Sequence, residues 1–447
     1  MTDAVDRDAT EPPGEDLETF RLRARAWLAT EMPRKPDNWN PLRDDDGRAS
    51  EARALQRQLW DGGFAGICYP RRYGGLGLPS EYQRAFDEEA RGYKMPLIFS
   101  TPTMSIIGPV LLECGTEEQK LRYIPAFLRG NELWVQFMSE PSGGSDMAGA
   151  LTRATRDGDW LALNGSKIWS TYAYRADFAL ALVRTNWEVP KHRGLTMLIV
   201  PVRHPGITVT QIQMVDGSVE FCQEYFDNAL VPVENVVGVI DGGWTIATRL
   251  LFHERHAVGG SSPYLSMPRP AATGQLELSH LARRLGRAEE PTVRELLGEA
   301  EMLTTVQDLL TQRIARGIAA GHIPETGGSM LRLFRGIAST RRATIALEIA
   351  DEDAIAWSPG HTTGDIGVEF VQRQARCIGG GTTEMARNII SERVLGMPRE
   401  PAADKDLPFS QVPRAAGRSR SAPTLARHLR PVTTGPFGIQ SPGDRSE

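Results

Sequence analysis

The 447-residue sequence has no apolar run of the roughly 18–20 residues that a membrane-spanning helix needs. Cysteine is scarce. Cys68, Cys114, Cys222 and Cys377 lie far apart, with no CxxC pair and no Cys/His cluster, so neither a disulfide framework nor a zinc site is indicated, and no metal is expected. A surplus of positive charge is also missing. The 51 Lys and Arg stand against 56 Asp and Glu, a formal net charge of −5, which argues against nucleic acid as the main ligand. No GxGxxG follows a strand pattern and no GxxxxGK[ST] occurs, which removes the usual dinucleotide and nucleotide-triphosphate loops. The N-terminal stretch MTDAVDRDATEPPGEDLE is acidic and polar, unlike a secretory or transit peptide, so a cytoplasmic location is expected.

What is present is ordinary globular material: 40% hydrophobic and 24% charged residues, in a chain long enough for two or three domains. Residues 1–15 read as disordered. Residues 16–132 form a helical domain, with helical spacing over Leu17–Met32, Ser50–Asp61, Glu81–Tyr93 and Glu117–Leu128. Residues 133–237 change texture. Trp160–Leu163, Phe178–Arg184, Leu195–Val202, Ile207–Met214 and Glu220–Val231 are short, β-branched and aromatic, and predict antiparallel strands of a barrel or sandwich. Residues 238–400 return to the helical period, with helices predicted at Trp244–Val258, Gln275–Leu285, Thr292–Arg316, Met330–Asp353 and Thr383–Leu395. Residues 401–447 lose periodicity and read as a disordered tail with seven basic and four acidic residues. Separate α and β blocks point to an α+β multidomain chain rather than a doubly wound sheet.

Four stretches carry possible chemistry. Met138–Met147 (MSEPSGGSDM) offers hydroxyls and exposed backbone N–H groups to an anionic or carbonyl-rich ligand, although an ordinary polar turn has the same composition. Asn164–Thr171 (NGSKIWST) places Trp169 and Thr171 on one face of a strand, either a wall for a planar ring or simple packing. Cys377–Pro398 leads three glycines into a helix with Thr382 or Thr383 near its N-cap, a setting that suits an electron-rich group. Finally, His253-Glu254-Arg255-His256 interrupts an apolar helix. Glu254 is there either a desolvated general base or half of a Glu–Arg pair.

Taken together, MSEPSGGSD, NGSKIWST, GGGTTEMARNIISERVLGMPRE and FDNALVPVENVVG resemble, in order and spacing, the motifs of the acyl-CoA dehydrogenase flavoproteins. The resemblance implies an N-terminal helical domain, a middle β-barrel domain and a C-terminal four-helix bundle, with FAD between domains. It implies α,β-dehydrogenation of an acyl-CoA thioester in lipid metabolism, with electrons passed to an electron-transfer flavoprotein, in a homo- or hetero-oligomer. By position, Met138, Ser139, Ser145, Trp169, Ser170, Thr171, Thr382 and Glu384 match cofactor contacts, and Ser145 and Arg255 match substrate contacts. Many members carry the catalytic glutamate where this chain has Gly380. A minority carry it on an earlier helix before an arginine, which Glu254-Arg255 matches, so Glu254 is the expected base. The Arg-x-x-Phe-Gly segment is not recognisable after Val258, and PGHTTGDIG stands where a later Gly-Gly-x-Gly loop is expected. These departures leave open a non-catalytic or half-site partner subunit, or a flavin oxidase of the same fold.

Overall fold

A computed structural model describes residues 15–35, 48–259, 262–264, 278–355 and 364–413. The disorder expected of residues 1–14 and of the tail from 414 onward lies outside these residues. So do most of GGSSPYLSMPRPAATG and the first half of PGHTTGDIG.

Asp16 starts the first helix by accepting from Thr19 N at 2.9 Å. Helix α1 (Leu17–Glu31) then buries Phe20, Ala24 and Leu28, one stripe at helical spacing. Helices α2 (Arg48–Asp61) and α3 (Ser80–Glu89) follow. A wide π-type segment, Phe99–Ile107, next runs into α4 (Gly108–Cys114). Helical spacing does not flag this pair, because Pro102 and the Gly108-Pro109 step interrupt the pattern. Thr116 and Gln119 form a reciprocal capping box that opens α5 (Glu117–Leu128).

The β block is one eight-stranded sheet. Its strands are β1 (Trp134–Phe137), β2 (Arg153–Asp157), β3 (Trp160–Thr171), β4 (Phe178–Arg184), β5 (Leu195–Pro201), β6 (Ile207–Ile212), β7 (Phe221–Pro232) and β8 (Val236–Val237). The order is β6-β7-β3-β2-β4-β5-β8, with β1 beside β4. The purely antiparallel expectation needs correction at one place, since β1 and β4 pair in parallel. With four residues, β1 is too short to carry a period of its own. The sheet curls, so that Leu161, Leu163, Phe226 and Val231 of β3 and β7 share a core with Val135, Phe137, Ala181 and Val200 of β1, β4 and β5. The opposite face of β1, β4 and β5 (Trp134, Leu180, Leu182, Met197, Ile199) packs in a second core with the helices.

Beyond the sheet come α6 (Gly243–Gly259), α7 (Leu278–Arg284), α8 (Pro291–Ala319), α9 (Gly328–Ala350), α10 (Glu352–Ile355), α11 (Gly364–Gln372) and α12 (Thr383–Ile389). Helix α9 packs against α6, α7, α8, α11 and α12 and forms the centre of this bundle. No helix among the described residues is long and apolar enough to cross a membrane. The chain does not lose its packing at Pro401, as its composition suggests. Phe409 is buried against the β block, so the start of the tail is ordered.

Candidate active site

The site begins with the register of one helix. Ala247, Leu250 and Ala257 of α6 are buried in the core that α6 shares with the sheet. Glu254 stands on the same stripe, four residues after Leu250 and three before Ala257, so the helical period itself carries a carboxylate into apolar surroundings. On β1, alternation turns Trp134, Gln136 and Met138 toward the helices, while Val135 and Phe137 face the interior of the sheet. The two periods meet where the Gln136 side chain approaches the Glu254 carboxylate and favours its charged form. Burial pushes Glu254 above the ordinary carboxylate range. The charges of Arg255 and Arg332 and the hydrogen bond from Gln136 offset only part of that rise.

Arg332 comes from α9, and its Nη2 donates to Gly379 O at 2.7 Å. The same arginine therefore faces Glu254 and fastens the glycine turn that precedes α12. Gly380 and Gly381 hold φ of 72° and 91°, left-handed values that a residue with a Cβ adopts at a cost. Thr382 is the N-cap of α12, accepting from Met385 N at 3.0 Å. Glu384 projects into solvent with Thr383 and Arg387 as its partners. Among the described residues, no hydrogen bond, ion pair or ring contact joins Thr382 or Glu384 to β3. Arg255 is partly buried, and burial lowers its guanidinium against the pull of Glu254.

The β3 side is organised by a buried ion pair. Lys167 Nζ reaches Glu140 Oε1 at 2.8 Å and Met138 O at 3.1 Å, with both side chains almost wholly enclosed. Glu140 also accepts from Leu151 N at 2.6 Å and Thr152 N at 2.9 Å, which closes the Met138–Met147 loop onto β3. Ser139 O accepts from Ile168 N at 2.9 Å, and a Cβ at Gly144 would lie 3.2 Å from Ser139 Oγ. Ser145 is exposed next to Asp146, whose two carboxylate oxygens each receive Lys191 Nζ at 3.0 Å.

Further along β3 the register with β7 shifts between Ile168 and Ser170. The bulge sets Trp169 at φ 69° with half its surface exposed, edge-on to Phe221. Thr171 is exposed too, whereas Ser170 is buried and donates to Glu224 Oε2 at 3.0 Å. Burial raises Glu224 to about 7. A tryptophan in the left-handed region is costly and rare. Here it leaves a flat apolar wall open, with a hydroxyl two residues away on the same face.

The structure thus brings Met138, Ser139, Trp169, Ser170 and Thr171 into one connected unit and sets Glu254 beside Gln136, two residues before Met138. It leaves Thr382 and Glu384 in a separate unit at the start of α12, which packs against α9. Gln136, Arg332 and Glu224 were not singled out in the sequence. Glu224 is an acid in an inward register on β7, a visible signal, but Gln136 and Arg332 belong to no motif and are found only through packing.

Three family models match successive parts of the chain: the acyl-CoA dehydrogenase N-terminal domain over residues 14–131, the middle domain over 136–229 and the C-terminal domain over 241–395. The acyl-CoA dehydrogenase IpdE1 of Mycobacterium tuberculosis is 32% identical over 399 residues, which cover 86% of this chain and 99% of that protein. Among solved structures, the Tcur3481-Tcur3483 steroid ACAD superposes with a TM-score of 0.70 at 28% identity, covering 88% of this chain and 100% of that one. The ChsE4-ChsE5 complex from Mycobacterium tuberculosis gives a TM-score of 0.67 at 26% identity, again over 88% and 100%. With three domains matched in order and a relative matched over nearly its whole length, this chain belongs to the acyl-CoA dehydrogenase family of oxidoreductases acting on CH–CH bonds.

Proposed function

We propose that the protein is an FAD-dependent dehydrogenase of bulky acyl-CoA thioesters in which Glu254 removes the α-proton. The observation that carries this reading is the half-buried Glu254 on the apolar stripe of α6, its carboxylate raised by desolvation with Gln136 beside it. A base buried in this way has a proton affinity matched to weakly acidic C–H bonds, which a solvated carboxylate lacks. Gln136 fixes the direction of the carboxylate. The charges of Arg255 and Arg332 limit how far its affinity rises.

The residues present fit a flavin. Trp169 and Thr171 offer a ring wall and a hydroxyl on one open face, Met138 and Ser139 adjoin them, and Gln136 Oε1 is a buried acceptor with no hydrogen-bond partner among the described residues. In this reading those residues and Ser170 hold FAD, with Thr382 and Glu384 contacting it from the bundle side. When bound, the cofactor takes up the β-hydrogen as a hydride equivalent at N5. Ser145 and Arg255 bind the thioester's CoA arm. Backbone and hydroxyl donors around the thioester carbonyl stabilise the charge that develops as the proton leaves. An electron-transfer flavoprotein would be the electron acceptor of the loaded enzyme.

Two points support the substrate class and assembly. The family resemblance associates a base on the earlier helix with branched, long or bulky acyl groups, and one solved relative is titled a steroid ACAD. Both structural relatives reported above are named as pairs of chains, so a second homologous chain is the expected partner. The test is an anaerobic titration of the purified chain, alone and co-expressed with a homologous partner. Octanoyl-CoA, isobutyryl-CoA and a steroid acyl-CoA are the thioesters. Bleaching of a bound flavin by the steroid thioester, lost in Glu254→Gln with flavin retained, is the expected result. Bleaching that persists in Glu254→Gln removes the assignment of the base, and a colourless protein in both preparations removes the reading.

A further inference from the structure

Residues 408–410 lie past the last family model, which ends at residue 395, yet they dock on the β block although residues 401–407 are mostly exposed. Phe409 N donates to Val189 O at 2.9 Å and Ser410 N to Trp187 O at 2.8 Å, so two backbone bonds zip this segment onto the loop after β4. Ser410 Oγ adds a bond to Glu188 Oε2 at 3.1 Å. The Phe409 ring is 2% exposed, lies 5.4 Å from Trp187, and covers the Arg184 guanidinium, whose carbon is 3.6 Å from the ring centroid.

Arg184 is the junction. It is fully enclosed and donates to Ala148 O at 2.6 Å, Ala150 O at 2.9 Å and Lys191 O at 3.1 Å. Ala148 and Ala150 end the loop that carries Ser139 and Ser145. Lys191 grips Asp146, the neighbour of Ser145. His192 rests edge-on against Trp244, in the first turn of the helix that bears Glu254, at 4.8 Å. A buried guanidinium holding carbonyls in its plane needs its face covered as well. An aromatic ring does that while adding attraction, and without it water competes for the three carbonyls.

We propose that residues 408–410 are a strap and that Phe409 is a positioning residue: through Arg184 and the 185–194 loop it fixes the Ser145–Ala150 loop in the shape that receives the CoA arm. This rests on the reading of that loop given under Proposed function. Phe409 meets Arg184, Trp187 and Val189, which bear on the loop and not on Glu254, so its loss acts on binding and leaves the proton step alone.

The experiment uses the full chain, with its homologous partner if flavin binding requires one, and compares Phe409→Ala and Ser410→Pro with wild type. Hydrogen exchange is followed over residues 145–152 and 186–194, with α8 and α9 as folding controls. Calorimetry measures the affinity for coenzyme A, and turnover is measured with the thioester that bleaches the flavin. Faster exchange in both loops, unchanged α8 and α9, CoA binding weakened roughly five- to thirtyfold and kcat held within about twofold are expected for Phe409→Ala. Ser410→Pro, which loses the N–H that reaches Trp187, follows the same pattern with a smaller change. Unchanged exchange in Phe409→Ala overturns the strap. Faster exchange with unchanged CoA affinity, or a loss confined to kcat, overturns the positioning role. If wild type binds no CoA, the functional reading fails, and the exchange comparison still decides the strap.

Discussion

Two glutamates, one in each half of the molecule, are removed from water in opposite ways. Glu140, at the mouth of the sheet, is met by a lysine and two backbone N–H groups within hydrogen-bond distance. Burial alone would raise it, but Lys167 and these donors bring it below the ordinary carboxylate range. Glu254, in the bundle, is met by one amide, with two arginines acting through their charge, and burial prevails. The first carboxylate has its lone pairs spent on the fold. The second keeps proton affinity unspent, which is what a general base needs and a structural carboxylate does not.

Four changes test that contrast, beginning with the largest. Glu254→Gln should lower turnover by about 10²–10⁴-fold while thermal melting shifts little, read by stopped-flow bleaching and scanning calorimetry. Lys167→Met should do the reverse. It leaves Glu140 buried without its cation and should cost about 3–5 kcal/mol in urea unfolding.

Glu224 tests the sign of linkage. Its folded value is raised from 4.5 to about 7, so the stability it allows is fully present below the unfolded value and is lost as pH rises through about 7. Unfolding free energies of Glu224→Gln and wild type should agree near pH 4.5, and by pH 8 the variant should lead by about 1–3 kcal/mol. The smallest effect is at Gln136→Leu. The acid limb of kcat/KM should move to higher pH, because the hydrogen bond from Gln136 holds Glu254 down, and kcat should fall roughly tenfold as the carboxylate loses its orientation. An acid limb that moves to lower pH would mean that Gln136 favours the protonated acid.

Much of this was legible in the sequence, for identifiable reasons. Helix α5 carries its own capping box and a clean period, so its predicted limits coincide with the observed ones. Trp169 and Thr171 share the exposed face because the bulge before Ser170 reverses the inward phase of β3 and alternation resumes after it. Glu254 was visible as an acid among apolar residues. What stayed hidden depends on distant packing. The α4 region is broken by proline and glycine, and β1 is too brief to show a period. Arg332 meets Glu254 only because α9 passes α6, and the burial of Phe409 needs a cleft built by residues some 220 positions earlier, such as Glu188. Composition registers a polar tail and cannot register the single aromatic that anchors it.

The glycine turn before α12 bears on how such a protein changes over generations. Gly380 occupies the position where the resemblance places the base of many relatives, and its φ of 72° is one that a glutamate takes at a cost of about 1–2 kcal/mol. Moving the base back from Glu254 is therefore not a single substitution. The turn would have to be rebuilt before an acid could stand at 380 without strain. With the base proposed at Glu254, a chain that keeps this turn depends on the acid carried by α6.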